Sequence, residues 1–264
     1  MGNRLAGRVA LVFGAGSSGE GLSNGKAAAL AFAREGASVA AIDLNAHEAE
    51  RTAKEITNGG GVALALRADV TAEEQVRAAV AEASVRLGAP TVLHNNVGVA
   101  HIGGVVDLDL RSWEAAFAVN LNGVFLTCKH TLPWMLAAGG GAIVNVSSIA
   151  SIRDVGYVYP SYNAAKAAVN QLTVSLALQY ASAGVRANAI LPGLIDTPMA
   201  RQQVVAEQAD PLAARDARDA ASPTGHSGSP WDIAAAAVFL ASDEAAYVNG
   251  VCLPVDGGLS ARCA

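Results

Sequence analysis

Short apolar runs punctuated by glycine alternate along the chain with longer stretches whose apolar residues recur at helical spacing. Arg8–Phe13 closes on glycines and reads as a buried strand, and Ser23–Arg34 follows as a helix stopped by Gly36. The pattern next predicts a strand over Val39–Asp43, a polar-faced helix over Ala46–Thr57 ending in the Gly59–Gly61 turn, and a strand over Val62–Arg67. A helix over Ala72–Leu87, a strand over Thr91–Asn95 and one long helix from Leu110 to Ala138, bent near Pro133, come after it. Ala142–Ser147 reads as a strand, Ser161–Ala181 as a helix and Val185–Leu191 as a strand. Beyond an irregular stretch, Pro230–Ala241 reads as helical and Val251–Val255 as a last short strand.

Apolar strands alternating with helices specify an α/β domain, a doubly wound parallel sheet covered on both faces. No repeat, low-complexity linker or composition shift divides the chain, so residues 1–264 are expected to form one domain. Hydrophobic residues make up 52% and charged residues 16%, a balance that excludes disorder. Aromatics are only 5%, so the core must come from Ala, Val, Leu and Ile, which suits close helix-on-sheet packing. The net charge of −5 argues against nucleic acid as a partner, and no apolar run approaches the roughly 20 residues of a membrane span. The first residues hold Arg4 and Arg8 but no secretory apolar segment. Cys128, Cys252 and Cys263 are widely spaced and lack a CxxC, so they read as thiols of a reducing, cytoplasmic protein rather than as zinc ligands or a disulfide framework. His47, His94, His101, His130 and His226 show no metal spacing, and His101 reads as a loop histidine or a substrate neighbour.

The glycine-rich turn Gly14-Ala15-Gly16-Ser17-Ser18-Gly19-Glu20-Gly21-Leu22-Ser23-Asn24-Gly25 lies between the first strand and the first helix. There glycines let backbone approach a pyrophosphate whose charge meets the free N–H groups of a helix start, although a bare structural turn has the same composition. Glu20 is a conflict within it, expected to face solvent or pair with a base. Asp43 ends the second strand, where a carboxylate can accept both ribose hydroxyls and repel a 2′-phosphate; with Leu44 and Asn45 offering no cation, this favours NAD over NADP. Asp43 could instead cap the helix at Ala46. Asp69 could cap the Ala72 helix or bond an adenine amine.

Tyr162 and Lys166 stand four residues apart on one helical face, where an ammonium can lower the pKa of a phenol. Ser148 ends the fifth strand, on the edge where open α/β sheets bind ligands. Asn120 falls inside the long helix, where Asn is a weak helix former, and taken alone could be a polar residue on a wet face.

The glycine loop, Asp43, Asp69-Val70, Asn95-Asn96-Val97-Gly98, Asn120, Ser148, Tyr162-x-x-x-Lys166, Pro192-Gly193 and Val255-Asp256-Gly257-Gly258, in this order along the whole chain, resemble the short-chain dehydrogenase/reductase family. The resemblance implies a seven-stranded parallel sheet with three helices on each face and a catalytic tetrad of Asn120, Ser148, Tyr162 and Lys166. It also implies a cofactor site that adds Gly14, Ser17, Ser18, Gly19, Asn24, Gly25, Leu44, Val70, Asn96, Val97 and Gly98 to Asp43 and Asp69. Pro192, Gly193, Ile195 and Thr197 would hold the nicotinamide end. In that scheme Asn120 holds a water that links Lys166 to solvent. A homotetramer pairing the helices around Asn120 and Tyr162 is expected on the same ground. Three positions depart from the pattern: Phe13 replaces a usual Thr, Val97 a usual Ala, and the loop is about five residues longer, with Ser23 at a usual glycine.

The expected reaction interconverts a secondary alcohol and a ketone, with Tyr162 as general base or acid. A lid over about residues 198–229 is expected to cover the substrate. Ile149, Ser151, Val155, Tyr157, Tyr159, Leu194 and Met199 are the pocket candidates, mostly apolar, and point to a hydrophobic secondary alcohol or ketone, open-chain or cyclic. Arg153 is the nearby cation, read as solvated rather than as a carboxylate clamp. The rival readings are an NAD-binding regulator without turnover and a lyase or epimerase using transient nicotinamide oxidation. The intact tetrad weighs against the first; the second usually needs a larger substrate domain.

Overall fold

A computed structural model describes residues 2–19, 21–205 and 210–262. Glu20 and Cys263, on which the sequence analysis commented, lie outside these. Seven strands, β1 (Val9–Phe13), β2 (Ser38–Asp43), β3 (Val62–Arg67), β4 (Val92–Asn95), β5 (Gly141–Val146), β6 (Val185–Pro192) and β7 (Cys252–Val255), form one sheet in the order β3-β2-β1-β4-β5-β6-β7. Every neighbouring pair is parallel. The order reverses between β1 and β4, and at such a switch point the connections leave in opposite directions and open a crevice at the strand ends.

All five residues of β1 are buried because the strand sends alternate side chains to two cores. Ala10 and Val12 join the core under α1 (Asn24–Arg34), α2 (Ala46–Asn58) and α8 (Pro230–Ala241). Leu11 and Phe13 join the other, under α3 (Glu73–Leu87), α5 (Gly123–Ala137) and α6 (Pro160–Tyr180). Alanine is what lets α1 lie so close to the sheet: Ala27, Ala28 and Ala29 are fully enclosed. Phe13, in place of the usual hydroxyl, fills the second core and is buried.

The long helix is broken, but not at Pro133, which sits inside α5. α4 (Leu110–Phe117) passes into a five-residue π-helical segment, Ala118–Asn122, before α5 begins. The Asn120 side chain donates to the Ala116 carbonyl (2.8 Å), the acceptor its own backbone N–H would use in an α-helix, and the Gly123 N–H bonds the Ala118 carbonyl five residues back. The stretch read as irregular is also largely helical: a π-helical turn over Ala200–Val205 and α7 (Pro211–Ala221) lie between β6 and α8. Asp210 accepts from the Ala213 N–H (3.0 Å), so a capping Asp followed by Pro at the first helical position marks the start of α7.

A buried polar network ties the sheet's centre to its second layer. Asn95 donates to Asn145 (2.9 Å) and accepts from Thr127 (2.7 Å), while Asn145 donates to Thr173 (2.9 Å). Beside it in β4, His94 is fully buried edge-on to Phe32, with neither ring nitrogen hydrogen-bonded. Burial alone lowers its pKa to about 4.

Candidate active site

A cleft of about 300 Å³ opens at the carboxyl ends of the strands, beside the β1/β4 switch point. Its side beside the glycine-rich turn is built by close backbone approach. A Cβ on Gly25 would stand 2.0 Å from the Gly14 carbonyl oxygen and 2.6 Å from the Asn96 amide, so only glycine lets α1 start here. Ser23, at a position where a glycine is usual, is the N-cap of α1: its hydroxyl accepts from the Lys26 N–H (3.0 Å) and donates to the Gly16 carbonyl (2.6 Å). The lengthened loop is held by its own bonds, Ser17 donating to the Gly21 carbonyl (2.9 Å).

Asp43 accepts from the Gly16 N–H through one oxygen (2.8 Å) and from the Asn45 N–H through the other (3.0 Å), leaving each oxygen further acceptor capacity. Asn45, not Asp43, caps α2. A second carboxylate, missed in the sequence, joins it: Glu48, on the first turn of α2, also lines the cleft. Burial opposes its charge, but the Arg51 guanidinium and the Ser17 N–H hold it below the ordinary Glu value. A readable signal was its place five residues after Asp43, on the first turn of an amphipathic helix.

Asp69 closes a turn, accepting from the N–H and hydroxyl of Thr71 (2.8 and 2.7 Å), and the cap position of α3 is Ala72. Asp69, Val70, the exposed Leu44, Gly19 and Gly25 are not among the residues lining the cleft, whereas Gly14, Ser17, Ser18, Asn24, Asn96, Val97 and Gly98 are. The Asn24 side-chain oxygen is buried there without a hydrogen-bond partner.

The catalytic candidates converge at the middle of the cleft. Ser148 follows β5 and caps the 3-10 turn Ile149–Ser151, its hydroxyl accepting from the Ala150 N–H (3.1 Å). Tyr162 is the third residue of α6 and buried. Burial pushes its phenol above the ordinary value, and hydrogen bonding with Ser148 pulls the other way. Lys166, one turn on, is almost fully enclosed; its ammonium donates to the Val146 carbonyl (2.9 Å) and lies 5.7 Å from the centre of the Tyr162 ring. Burial lowers its pKa to about 8. The enclosing wall, rather than the lysine, therefore sets the direction of the Tyr162 shift in this structure.

Asn120 is buried behind them and does not itself line the cleft. Its amide donates to the Val99 carbonyl (2.9 Å) and accepts from the Val99 N–H (3.2 Å), pinning the segment after β4. Gly98 separates it from Lys166: a Cβ there would meet Asn120 Oδ1 at 3.0 Å and Lys166 Nζ at 3.3 Å.

On the far side, Pro192, Gly193, Leu194, Ile195, Thr197 and Met199 line the cleft opposite Ile149, Val155, Tyr157 and Tyr159. The rings of Tyr157, Tyr159 and Tyr162 form a row, with centroids 5.8 and 5.2 Å apart. Burial, chiefly, raises the Tyr159 phenol well above its ordinary value. Ser151 instead donates to the Ser148 carbonyl and accepts from Asn170, outside the cleft, and His101 is also outside its lining. Arg153 turns away, donating to the Ser260 and Ile152 carbonyls (3.0 and 2.9 Å). The cation that does line this side is Arg218 of α7, which the sequence analysis missed because it missed the helix.

No group of three or more His, Cys, Asp or Glu among the described residues could hold a metal ion, and no described helix is long and apolar enough to cross a membrane. A family model described as enoyl-(acyl carrier protein) reductase matches residues 21–260. The chain is 42% identical over 262 residues to 2-(S)-hydroxypropyl-CoM dehydrogenase 3 of Xanthobacter autotrophicus, covering 99% of this chain and all of that one. It is 42% identical to the cis-4-hydroxycyclohexanecarboxylate dehydrogenase of Sinomonas cyclohexanicum, again over 99% of this chain and all of the relative. A crystal structure of a short-chain dehydrogenase/reductase from Burkholderia xenovorans superposes with a TM-score of 0.92 at 42% identity, covering 99% of this chain and all of that one. Together with the seven-stranded sheet and the convergence of Ser148, Tyr162 and Lys166, these matches show that the chain belongs to the short-chain dehydrogenase/reductase family, as a nicotinamide-dependent oxidoreductase of secondary alcohols.

Proposed function

We propose that the chain is a dehydrogenase specific for NAD(H) over NADP(H), with Tyr162 as its acid–base group. The observation that carries this reading is the placing of Ser148, Tyr162 and Lys166 at the middle of a cleft whose nucleotide end holds two carboxylates. The cleft's nucleotide side fits a dinucleotide: Gly14, Gly16 and Gly98 present bare backbone to it, the Asn24 side-chain oxygen is buried without a partner, and Asp43 and Glu48 suit ribose hydroxyls while repelling a 2′-phosphate. Gly14, Ser17, Ser18, Asn24, Asp43, Asn96, Val97 and Gly98 would hold the adenosine and phosphates, with Asp69, Val70, Leu44, Gly19 and Gly25 behind or beside them. Pro192, Gly193, Ile195 and Thr197 would hold the nicotinamide end. The bound nicotinamide supplies the hydride acceptor or donor.

In oxidation, Ser148 and Tyr162 hydrogen-bond the substrate oxygen and Tyr162 takes the hydroxyl proton; in reduction Tyr162 returns it. Burial disfavours a phenolate, so the Lys166 cation must offset that cost, and Asn120 fixes the wall against which Lys166 is packed. The substrate carried over from the relatives is a small secondary alcohol on a chain or ring. Exposed Leu110, Phe125 and Leu178, on α4, α5 and α6, support a homo-oligomer through these helices, a tetramer by family resemblance. A cytoplasmic location fits the free thiols of Cys128 and Cys252. The test is NADH formation from NAD, and NADPH from NADP, across aliphatic, cyclic and sugar alcohols, with Tyr162→Phe alongside. Turnover lost in that variant, and faster with NAD, is the expected result; turnover surviving in it would overturn the assignment.

A further inference from the structure

Two cations line the cleft among the described residues, Lys166 and Arg218, and they are placed differently. Lys166 is enclosed and serves the phenol. Arg218 is half-buried on the lid, facing Leu194, Ile195 and Met199. Its guanidinium donates to the Tyr157 hydroxyl (3.1 Å) and, at 3.5 Å, to the Ile195 carbonyl, and its carbon stands 5.7 Å from the centre of the Tyr157 ring. Among the described residues it forms no ion pair, whereas the lid's Arg201 is paired with Asp196 (2.7 Å) and Arg153 is spent on backbone carbonyls outside the cleft. The cleft's carboxylates, Asp43 and Glu48, are at the nucleotide end. A guanidinium carries five N–H donors, and two are used here. A half-buried cation that lines the cleft with spare donors, and with no counter-charge among the described residues, is placed to receive a ligand's anion.

We propose that Arg218 is a substrate-anchoring residue, and that the natural substrate is a secondary alcohol carrying a carboxylate or sulfonate remote from its carbinol. This rests on the dehydrogenase reading above. Arg218 is linked to Tyr162 through Tyr157 and Tyr159, by contacts of 5.7, 5.8 and 5.2 Å, so an anion on Arg218 is set apart from a carbinol at Tyr162 by these rings. On this proposal a 2-hydroxy acid, with its carboxylate on the carbinol carbon, is the poorer substrate. The hydrophobic alcohol expected from the pocket candidates is thereby refined to one with an apolar middle and a charged end.

The experiment compares kcat/KM for matched pairs: 4-hydroxycyclohexanecarboxylate against its primary amide, and 4-hydroxypentane-1-sulfonate against 2-pentanol, with lactate as the short control. Wild type should favour the anion in a pair by about tenfold to a hundredfold, as a charge-assisted pair in a cleft provides. Whether the carboxylate or the sulfonate pair shows the larger ratio identifies the anion. The ratio should collapse towards one in Arg218→Gln and be partly kept in Arg218→Lys. A residue that only fastened the lid to Tyr157 would lower both members of a pair and leave the ratio standing. Equal use of anion and neutral partner by wild type, or an unchanged ratio in Arg218→Gln, overturns the proposal. If wild type turns over neither member with either dinucleotide, the substrate reading fails at that step, and calorimetry on the NADH complex still decides the site. Cyclohexanecarboxylate should bind at least tenfold tighter than cyclohexanecarboxamide, and lose that margin in Arg218→Gln; equal binding of the two overturns it.

Discussion

The nucleotide wall of the cleft, β1 and β2 with the turn from Gly14 to Gly25, is fixed mainly by backbone groups in contact with one another. Opposite it, the described residues between Thr197 and Ser229 are anchored by backbone at one end, where Gly228 exchanges hydrogen bonds with Leu194 and Asp196 (2.9 Å each), and elsewhere by side-chain contacts such as Arg218 to Tyr157 and Gln202 to the Ser18 carbonyl at 3.4 Å. In the wall, one added methyl group collides with a carbonyl that cannot move. In the lid, a lost contact frees one side chain. Under the proposed function, the wall is where stability and cofactor geometry are decided, and the segment opposite is where substrate choice can vary at little cost to folding.

Substitutions should separate the two regions, and the largest effect belongs to the chemistry between them. Tyr162→Phe should lower kcat by about 10²–10⁴-fold, the usual worth of a positioned acid–base group, with NADH affinity by fluorescence titration unchanged. In the wall, Gly25→Ala should cost roughly 3 kcal/mol, about 6–12 °C in Tm for a domain of this size, and weaken cofactor binding. A melting point within 2 °C of wild type would break the contrast. Also under the wall, His94 should make the protein acid-sensitive. Its folded pKa, about 4, is below the unfolded value near 6.5, so the unfolded chain takes up the proton first. Stability is then lost as pH falls from about 6.5 towards 4, by roughly 3 kcal/mol in all, and urea unfolding of His94→Phe should show a flatter profile across that window.

Smaller effects sharpen the picture. Asp43→Ala with Glu48→Gln should raise the NADP-to-NAD ratio of kcat/KM by at least tenfold, while Glu48→Gln alone should give a few-fold rise. No rise in the double variant would mean that the two carboxylates do not choose the dinucleotide. In the lid, Gln202→Ala should move Tm by no more than about 1 °C, because its long contact is exposed.

The same contrast explains what was legible. The β1–α1–β2 unit was readable because a buried strand, a Gly-rich turn and a strand-end Asp are each forced by local geometry, and the resemblance then supplied roles for Ser148, Tyr162 and Lys166. The α7 helix was not: Pro211–Ala221 has few apolar residues to show a period, and only the Asp210-Pro211 start announced it. The break in the long helix was expected at Pro133, since proline is the usual local cause. It lies instead at Asn120, whose side chain competes for a backbone carbonyl in a way that composition does not display.

By itself the sequence determined the sheet, its two covered faces and the order of the motifs, because periodicity, glycine and strand-end chemistry act between neighbours in the chain. Only the tertiary structure decided that Glu48 joins Asp43, that Asn120 pins Val99, that Asn95, Asn145, Thr127 and Thr173 close one buried network, and that Arg218 lines the cleft against Tyr157. Each of these depends on which group lies nearest in space, where burial removes water as the competing partner, and sequence distance carries no record of that.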